Sequence, residues 1–244
     1  MKNLFKKTWF WYLIALFLLV IVSFTIGYFK LIDYRDAVLS GDMTSDEFLE
    51  IFGASQTSDF EIDVDHYFSE PDSNEVKALS SGSPFFGSED AKVKIVAFED
   101  FYCSHCINVY PEVKKIINNY GDRIQFVFRH YPVLGDTRAA VASTCANEQG
   151  LFWPYHDLLF TSQVPLEAEI LKTYAVQLGL DEFQFNNCYD TEKYKTKIQS
   201  DVAVGQAYGA PATPTIFINN FQISGEFKYE QIKQIIDYLL EYYQ

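Results

Sequence analysis

The sequence predicts an α/β domain with an inserted helical subdomain, preceded by one N-terminal transmembrane helix. Three observations carry this. Residues 9–29 contain no charge. A strand–turn–helix–strand pattern runs from Val93 to Val133 and gives way to helical periodicity from Thr137 to Tyr208. Two short strand patterns and a last amphipathic helix then follow Pro214.

The chain has 244 residues, 48% hydrophobic and 17% aromatic, which fits a globular protein. Without the terminal and low-complexity stretches roughly 160 residues remain, enough for one well-filled core. The net charge of −14 disfavours nucleic acid, whose phosphates would be repelled. The acidity suits solubility, and no basic membrane-binding face is evident.

Trp9 to Phe29 (WFWYLIALFLLVIVSFTIGYF) is long enough, as a helix, to span roughly 30 Å of bilayer core. Lys2, Lys6 and Lys7 precede it, so residues 1–8 are expected in the cytoplasm and the remainder outside. Trp9, Trp11, Tyr12 and Tyr28 sit where interfacial aromatics belong. The alternative is a cleaved signal peptide, but the apolar run is long and no A-x-A site follows. Both readings export the rest of the chain. Residues 30–83 read as an acidic Ser/Asp-rich spacer with one short amphipathic run, Ser45–Phe52. SSGSP at Ser80–Pro84 marks the boundary of the domain, 84–244.

Within that domain Val93–Phe98 is β-branched and apolar, a buried strand. Ile107–Tyr120 has helical spacing and stops at Gly121-Asp122, and Ile124–Val133 is a second strand. Helices are expected over Thr137–Gly150, Phe152–Thr161, Glu167–Leu178, Asp181–Tyr189 (capped by Asp181) and Thr191–Tyr208. Thr215–Ile218 and Phe221–Ser224 read as strands joined by Asn219-Asn220, a pair that tolerates positive φ. Lys228–Tyr242 closes the chain as an amphipathic helix.

Four cysteines are present: Cys103 and Cys106 in a C-x-x-C spacing, Cys145 and Cys188 apart. At a helix start this spacing sets the first sulfur over unpaired N–H groups and the second one turn in, close enough for a disulfide. The first sulfur is thereby favoured as the thiolate, the attacking species in exchange. His105, between them, is placed to donate a hydrogen bond or positive charge to it. Half of a zinc site is the rival, but Cys145 and Cys188 have no close Cys or His partner and His66, His130 and His156 are scattered. A purely structural disulfide would close too small a loop to stabilise much. Thr213-Pro214 precedes a strand, where Pro cannot donate to the sheet. A cis bond there would expose the Thr213 backbone to an extended substrate, and an ordinary strand-initiating proline is the alternative.

Three segments together resemble the DsbA-like family of thioredoxin-fold thiol–disulfide oxidoreductases, in its membrane-anchored bacterial branch. They are FEDFYCSHC, TCANEQGLFWPYHDLLF and GAPATPTIFIN. The resemblance implies a thioredoxin fold with a helical insertion at 137–190. It implies Cys103 as nucleophile, Cys106 as buried resolving cysteine, a redox-active Cys103–Cys106 disulfide, and Pro214 as a cis-proline facing them behind Thr213. It further implies a structural Cys145–Cys188 disulfide, and it makes His156 a surface or packing residue. No metal or organic cofactor is called for. The implied partners are exported proteins with cysteine pairs and a quinone-linked membrane protein that restores the disulfide.

Two departures stand out. Ser104 occupies a position the family often fills with Pro. Ala97 stands where the family often carries a buried acid, six residues before the nucleophile. Glu99 shares the strand face of Ala97, so it is a candidate proton relay for Cys106, with a solvated strand-end charge as the alternative. Asp100 matches a position the family often fills with Asp. The function expected is disulfide introduction into exported proteins. Reduction or isomerisation in the same compartment, or a redox-inert binding module, are the alternatives.

Overall fold

The structure, a computed structural model, describes residues 82–243. The expected anchor at 9–29 and nearly all of the 30–83 spacer, Ser45–Phe52 included, lie outside the described residues. Among the described residues no helix is long and apolar enough to cross a membrane.

Five strands form one mixed sheet: β1 (Phe85–Gly87), β2 (Val93–Glu99), β3 (Ile124–His130), β4 (Thr215–Ile218) and β5 (Phe221–Ser224), in the order β1-β3-β2-β4-β5. Only β2 and β3 run parallel. They are joined by α1 (Ser104–Tyr120) and a short 3-10 turn at Gly121–Arg123. Parallel neighbours need such a crossover. Both central strands are buried on two faces, which explains the apolar runs Ile95–Phe98 and Phe126–Phe128 at their centres.

Alternation assigns the two faces. Val96, Phe98, Val127 and Tyr131 lie with Phe217 in one cluster, under α6 (Lys195–Ala207). A Cβ built on Gly205 of α6 would stand 3.0 Å from both the Phe98 and Tyr131 rings, so glycine allows this helix its close approach. Arg129, on the same face, forms a buried ion pair with Asp201 of α6 at 2.5 Å, and Lys197 reaches the same carboxylate oxygen at 2.6 Å. The opposite face carries Phe128 and His130 toward the larger core.

That core includes α2 (Arg138–Asn147), α3 (Phe152–Thr161), α4 (Ala168–Gln177) and α5 (Glu182–Asp190). Cys145 of α2 is bonded to Cys188 of α5. Asp181 caps α5, its side chain accepting from the N–H of Gln184 at 2.7 Å. The last helix, α7 (Tyr229–Tyr242), buries Ile232, Ile235, Ile236 and Leu239. Tyr120 at the end of α1 donates to Asp237 of α7 at 2.7 Å.

Three elements differ from the sequence expectation. β1 was not expected: three residues carry no period, yet Gly87 (φ +87°) lets the strand pair with β3 where any Cβ would strike the Ile124 carbonyl. β3 stops at His130: Tyr131 N–H makes the last ladder bond, to the Glu99 carbonyl (2.8 Å), and Pro132 has no N–H to continue it. α6 begins at Lys195, not Thr191. Thr191 and Lys193 bond back to the carbonyls of Asn187 and Cys188, closing α5, and Glu192 adopts φ +48°.

Candidate active site

The site lies where β2 ends and α1 begins. Asp100 shapes the turn between them: its carbonyl accepts from Cys103 N–H (3.0 Å), and its carboxylate accepts from the N–H groups of Tyr102 (2.9 Å) and Leu134 (3.4 Å). Burial pushes the Asp100 carboxyl up, and the backbone donors work against that shift. Cys103 is the N-cap of α1, in extended backbone, and its carbonyl accepts from Ile107 N–H. Its sulfur therefore sits at the positive end of the helix.

Both cysteines are free thiols, the dithiol state of the pair. Cys103 keeps 8% of its surface and Cys106 none. Burial pushes the Cys106 thiol well up, and the nearby Glu99 carboxyl adds to it. From the far side of the sheet the Thr213–Pro214 peptide closes the site; the bond is cis, and the Cys103 thiol lies 3.4 Å from the Thr213 carbonyl oxygen. Pro214 is anchored by its own carbonyl, which accepts from Gly225 N–H at 2.8 Å.

Glu99 is 2% exposed, and burial pushes its carboxyl up to about 8. It is a buried group beside Cys106, not a solvated charge at the strand end. Its Oε1 has no hydrogen-bond partner among the described residues.

His105 has a partner besides the cysteines. Its Nδ1 lies 2.7 Å from Glu226 Oε1, which also accepts from Asn108 Nδ2 at 2.9 Å. The imidazole, 65% exposed, is thus directed to a carboxylate after β5 and not to the Cys103 sulfur. Glu226 is a neighbour that sequence reasoning missed, because it lies 121 residues away in a loop without a motif. His156 is a packing residue, 1% exposed and surrounded by the rings of Phe101, Phe128 and Phe160. His130 was treated as scattered. In fact it pairs in register with Glu99 and is buried within the same wall of the site. The signal available was a polar residue at the carboxyl end of a parallel strand, where open α/β sheets place their sites.

The Cys145–Cys188 disulfide lies within the helical block with Cα atoms 5.8 Å apart. Among the described residues no group of three or more His, Cys, Asp or Glu side chains is gathered to hold a metal ion.

The family described as Thioredoxin matches residues 79–238. Among curated proteins the chain is similar to the Na(+)/H(+) antiporter NhaA of Herminiimonas arsenicoxydans, 34% identical over 152 residues. That match covers 62% of this chain and 24% of the antiporter. It is also similar to disulfide bond formation protein D of Bacillus subtilis, 28% identical over 171 residues, which covers 64% of this chain and 76% of that protein. The chain thus spans about a quarter of the length of the antiporter relatives it matches. Among solved structures, oxidised BdbD from Bacillus subtilis superposes with a TM-score of 0.59 at 26% identity, over 71% of this chain and 97% of that one. The thiol–disulfide exchange protein alpha-DsbA2 from Wolbachia pipientis superposes with a TM-score of 0.65 at 21% identity, over 74% of this chain and all of that one, a likeness of fold.

Proposed function

The chain belongs to the thioredoxin family, among its DsbA-like thiol–disulfide oxidoreductases, and on that premise we propose that it introduces disulfides into exported proteins through Cys103 and Cys106. The observation that carries this is the placement of Cys103: N-cap of α1, sulfur 3.4 Å from the Thr213 carbonyl, with Cys106 fully buried one turn behind.

In the oxidised enzyme a substrate thiolate attacks the Cys103 sulfur. Cys106 leaves as a thiolate and takes up a proton. The second substrate thiolate then attacks the substrate sulfur of the mixed disulfide, and Cys103 leaves. The α1 N-terminus stabilises the negative charge on Cys103 as it departs. Glu99 is the proton donor for Cys106, in the role usually assigned to an acid at the position of Ala97. The Thr213 backbone before Pro214 is the pairing edge for the substrate chain, and the Cys145–Cys188 bridge holds the helical insertion.

The catalytic domain acts outside the cytoplasm, tethered by residues 9–29 with the N-terminus inside, and a quinone-linked membrane protein returns it to the disulfide form. The anchor reading rests on the sequence; the name of the relative, disulfide bond formation protein D of Bacillus subtilis, favours the oxidising role.

The reduction potential against glutathione tests the direction. A value near about −120 mV, that of DsbA, supports an oxidase, and one near about −270 mV, that of thioredoxin, makes the protein a reductase. One observation favours the second reading: Glu226 engages the His105 ring, which otherwise would be free to stabilise the thiolate.

A further inference from the structure

Among the described residues Glu99 Oε1 and His130 Nδ1 are buried polar atoms without a hydrogen-bond partner, as is Thr213 Oγ1 next to Cys103. The parallel register of β2 and β3 sets Glu99 and His130 opposite each other, and alternation points both side chains to the same face. They line one small gap with Asp100, Phe101, Pro132 and Ala140. The gap is narrow, so the two side chains are close-packed along it. Two orphans facing one gap each carry an uncompensated desolvation cost while they stay unpaired.

The hydrogen-bond pattern around His130 favours one assignment of its ring proton. Thr144 Oγ1 donates its hydrogen to the Ala140 carbonyl, at 2.8 Å. The same oxygen lies 3.0 Å from His130 Nε2. With its hydrogen committed, Thr144 can only accept there, so Nε2 is the N–H and Nδ1 bears a lone pair. A lone pair facing a buried carboxyl calls for a protonated acid, and burial holds Glu99 in that form, up to about 8.

We propose that His130 is the positioning residue of the Cys106 proton relay, its Nδ1 taking the hydrogen bond of the Glu99 acid and passing protons to it. This rests on the oxidoreductase reading of the site. In the relay so proposed Glu99 stands between the Cys106 thiol and His130, and its acid proton sits on the oxygen that closes onto Nδ1. When Cys106 leaves the enzyme disulfide as a thiolate, Glu99 gives up its acid proton to the sulfur. His130, neutral at rest, takes a solvent proton on Nδ1 and hands it to Glu99, which returns to the acid. The net change is thiolate plus one solvent proton to thiol, with Glu99 and His130 left as they began. The proton drawn from solvent equals the one the substrate thiol released, and the only electrons exchanged are those of the disulfide.

The groups around the pair are Cys103 and Cys106 at the start of α1, Asp100 and Asp136 from the loops and His156 from α3, while Asp201 and Lys197 of α6 act on His130 only from across the sheet. None bonds Glu99 Oε1 or His130 Nδ1. Burial holds His130 down at about 4 and Glu99 up at about 8, and pushes Cys106 higher than either. Protons on this chain therefore run toward the sulfur.

The test is stopped-flow reduction of the oxidised full-length protein by dithiothreitol, across pH 5–9, in the parent, His130→Asn, His130→Phe and Glu99→Gln. General acid–base groups contribute about 100-fold or more, and losing the partner of one is expected to slow the Cys106-leaving step about tenfold at pH 7. In the Glu99→Gln background the His130 changes are expected to add nothing. Equal slowing in that background, or none in the parent, overturns the proposal. A rate unaffected by Glu99→Gln alone also overturns it while leaving disulfide exchange intact, whereas an inert parent protein defeats the oxidoreductase reading itself. Should the His130 variants not fold, nitrogen NMR of the unmutated protein decides: Nδ1 must be the unprotonated nitrogen, and a protonated Nδ1 overturns the assignment.

Discussion

The sulfur of Cys103 lies 3.4 Å from the carbonyl oxygen of Thr213, two groups separated by 110 residues of sequence. The contact makes Cys103 the sulfur that a chain pairing along Thr213 meets first, while Cys106 stays fully buried. A partner's thiolate is thus captured on Cys103, and Cys106 is the only neighbouring thiol that can release it. In Cys106→Ala the Cys103 thiolate attacks a partner's disulfide and expels the other partner sulfur as a thiolate, so with disulfide-bearing partners this variant is expected to accumulate mixed disulfides on Cys103, visible as higher-mass bands on non-reducing gels that vanish with reductant. Cys103→Ala is expected to accumulate none. Equal trapping by the two variants would reverse the assigned roles.

Glu99 makes stability fall with rising pH. Its carboxyl ionises near 4.5 in the unfolded chain and near 8 when buried in the fold, so between those values the unfolded chain sheds a proton that the folded one keeps. The stabilisation is complete below pH 4.5 and lost as pH climbs through 8. Glu99→Gln removes the titration. The variant is expected to gain on the order of 3 kcal/mol over the parent at pH 9, and nothing below pH 4. Urea midpoints at the two pH values measure this. A constant difference across pH would place the Glu99 carboxyl in solvent.

The Cys145–Cys188 bridge ties α2 to α5 across 43 residues. Closing a loop of that length removes about 4 kcal/mol of unfolded-state entropy in the chain-entropy model. The double variant Cys145→Ala, Cys188→Ala is expected to lose roughly 2–4 kcal/mol in urea denaturation. Its thiol exchange rate is expected to stay near that of the parent, because neither sulfur touches the redox pair. A collapse in exchange rate with unchanged stability would make the bridge part of the redox chemistry.

Where a periodic pattern or a local cap fixed the backbone, the sequence was enough. α3, β4 and β5 fall where their periodicity puts them, and Asp181 caps α5 through its own side chain. The strand alternation that set Glu99 on the face of Ala97 carries it into the interior. Other features depend on contacts without a local sign. β1 exists because Gly87 can come against Ile124, and three residues have no period to read. His130 becomes a neighbour of Glu99 only through the β2–β3 register. Glu226 meets His105 only because β5 returns the chain beside α1. Spacing within the C-x-x-C motif described the helix end but said nothing of which way the His105 ring turns.

That turn controls the last prediction. Glu226 holds the His105 ring at 2.7 Å and is itself braced by Asn108, so whatever His105 offers the site is shared with a carboxylate. Removing the carboxylate leaves the ring free to reach the Cys103 thiolate, which stabilises the reduced enzyme and makes the disulfide a stronger oxidant. The pair is solvent-exposed, 65% and 43%, so the effect is modest. Glu226→Ala is expected to shift the glutathione equilibrium toward the reduced enzyme by about two- to threefold, in the direction of a more positive potential. The shift is expected to shrink as salt rises, since screening weakens exposed pairs. It is also expected to disappear in a His105→Ala background, because Glu226 acts on the sulfur only through that ring. A shift that survives His105→Ala would mean that the Glu226 charge acts on Cys103 directly. No shift even at low salt would mean that His105 leaves the thiolate unaffected in either position, and that the helix terminus alone sets the potential.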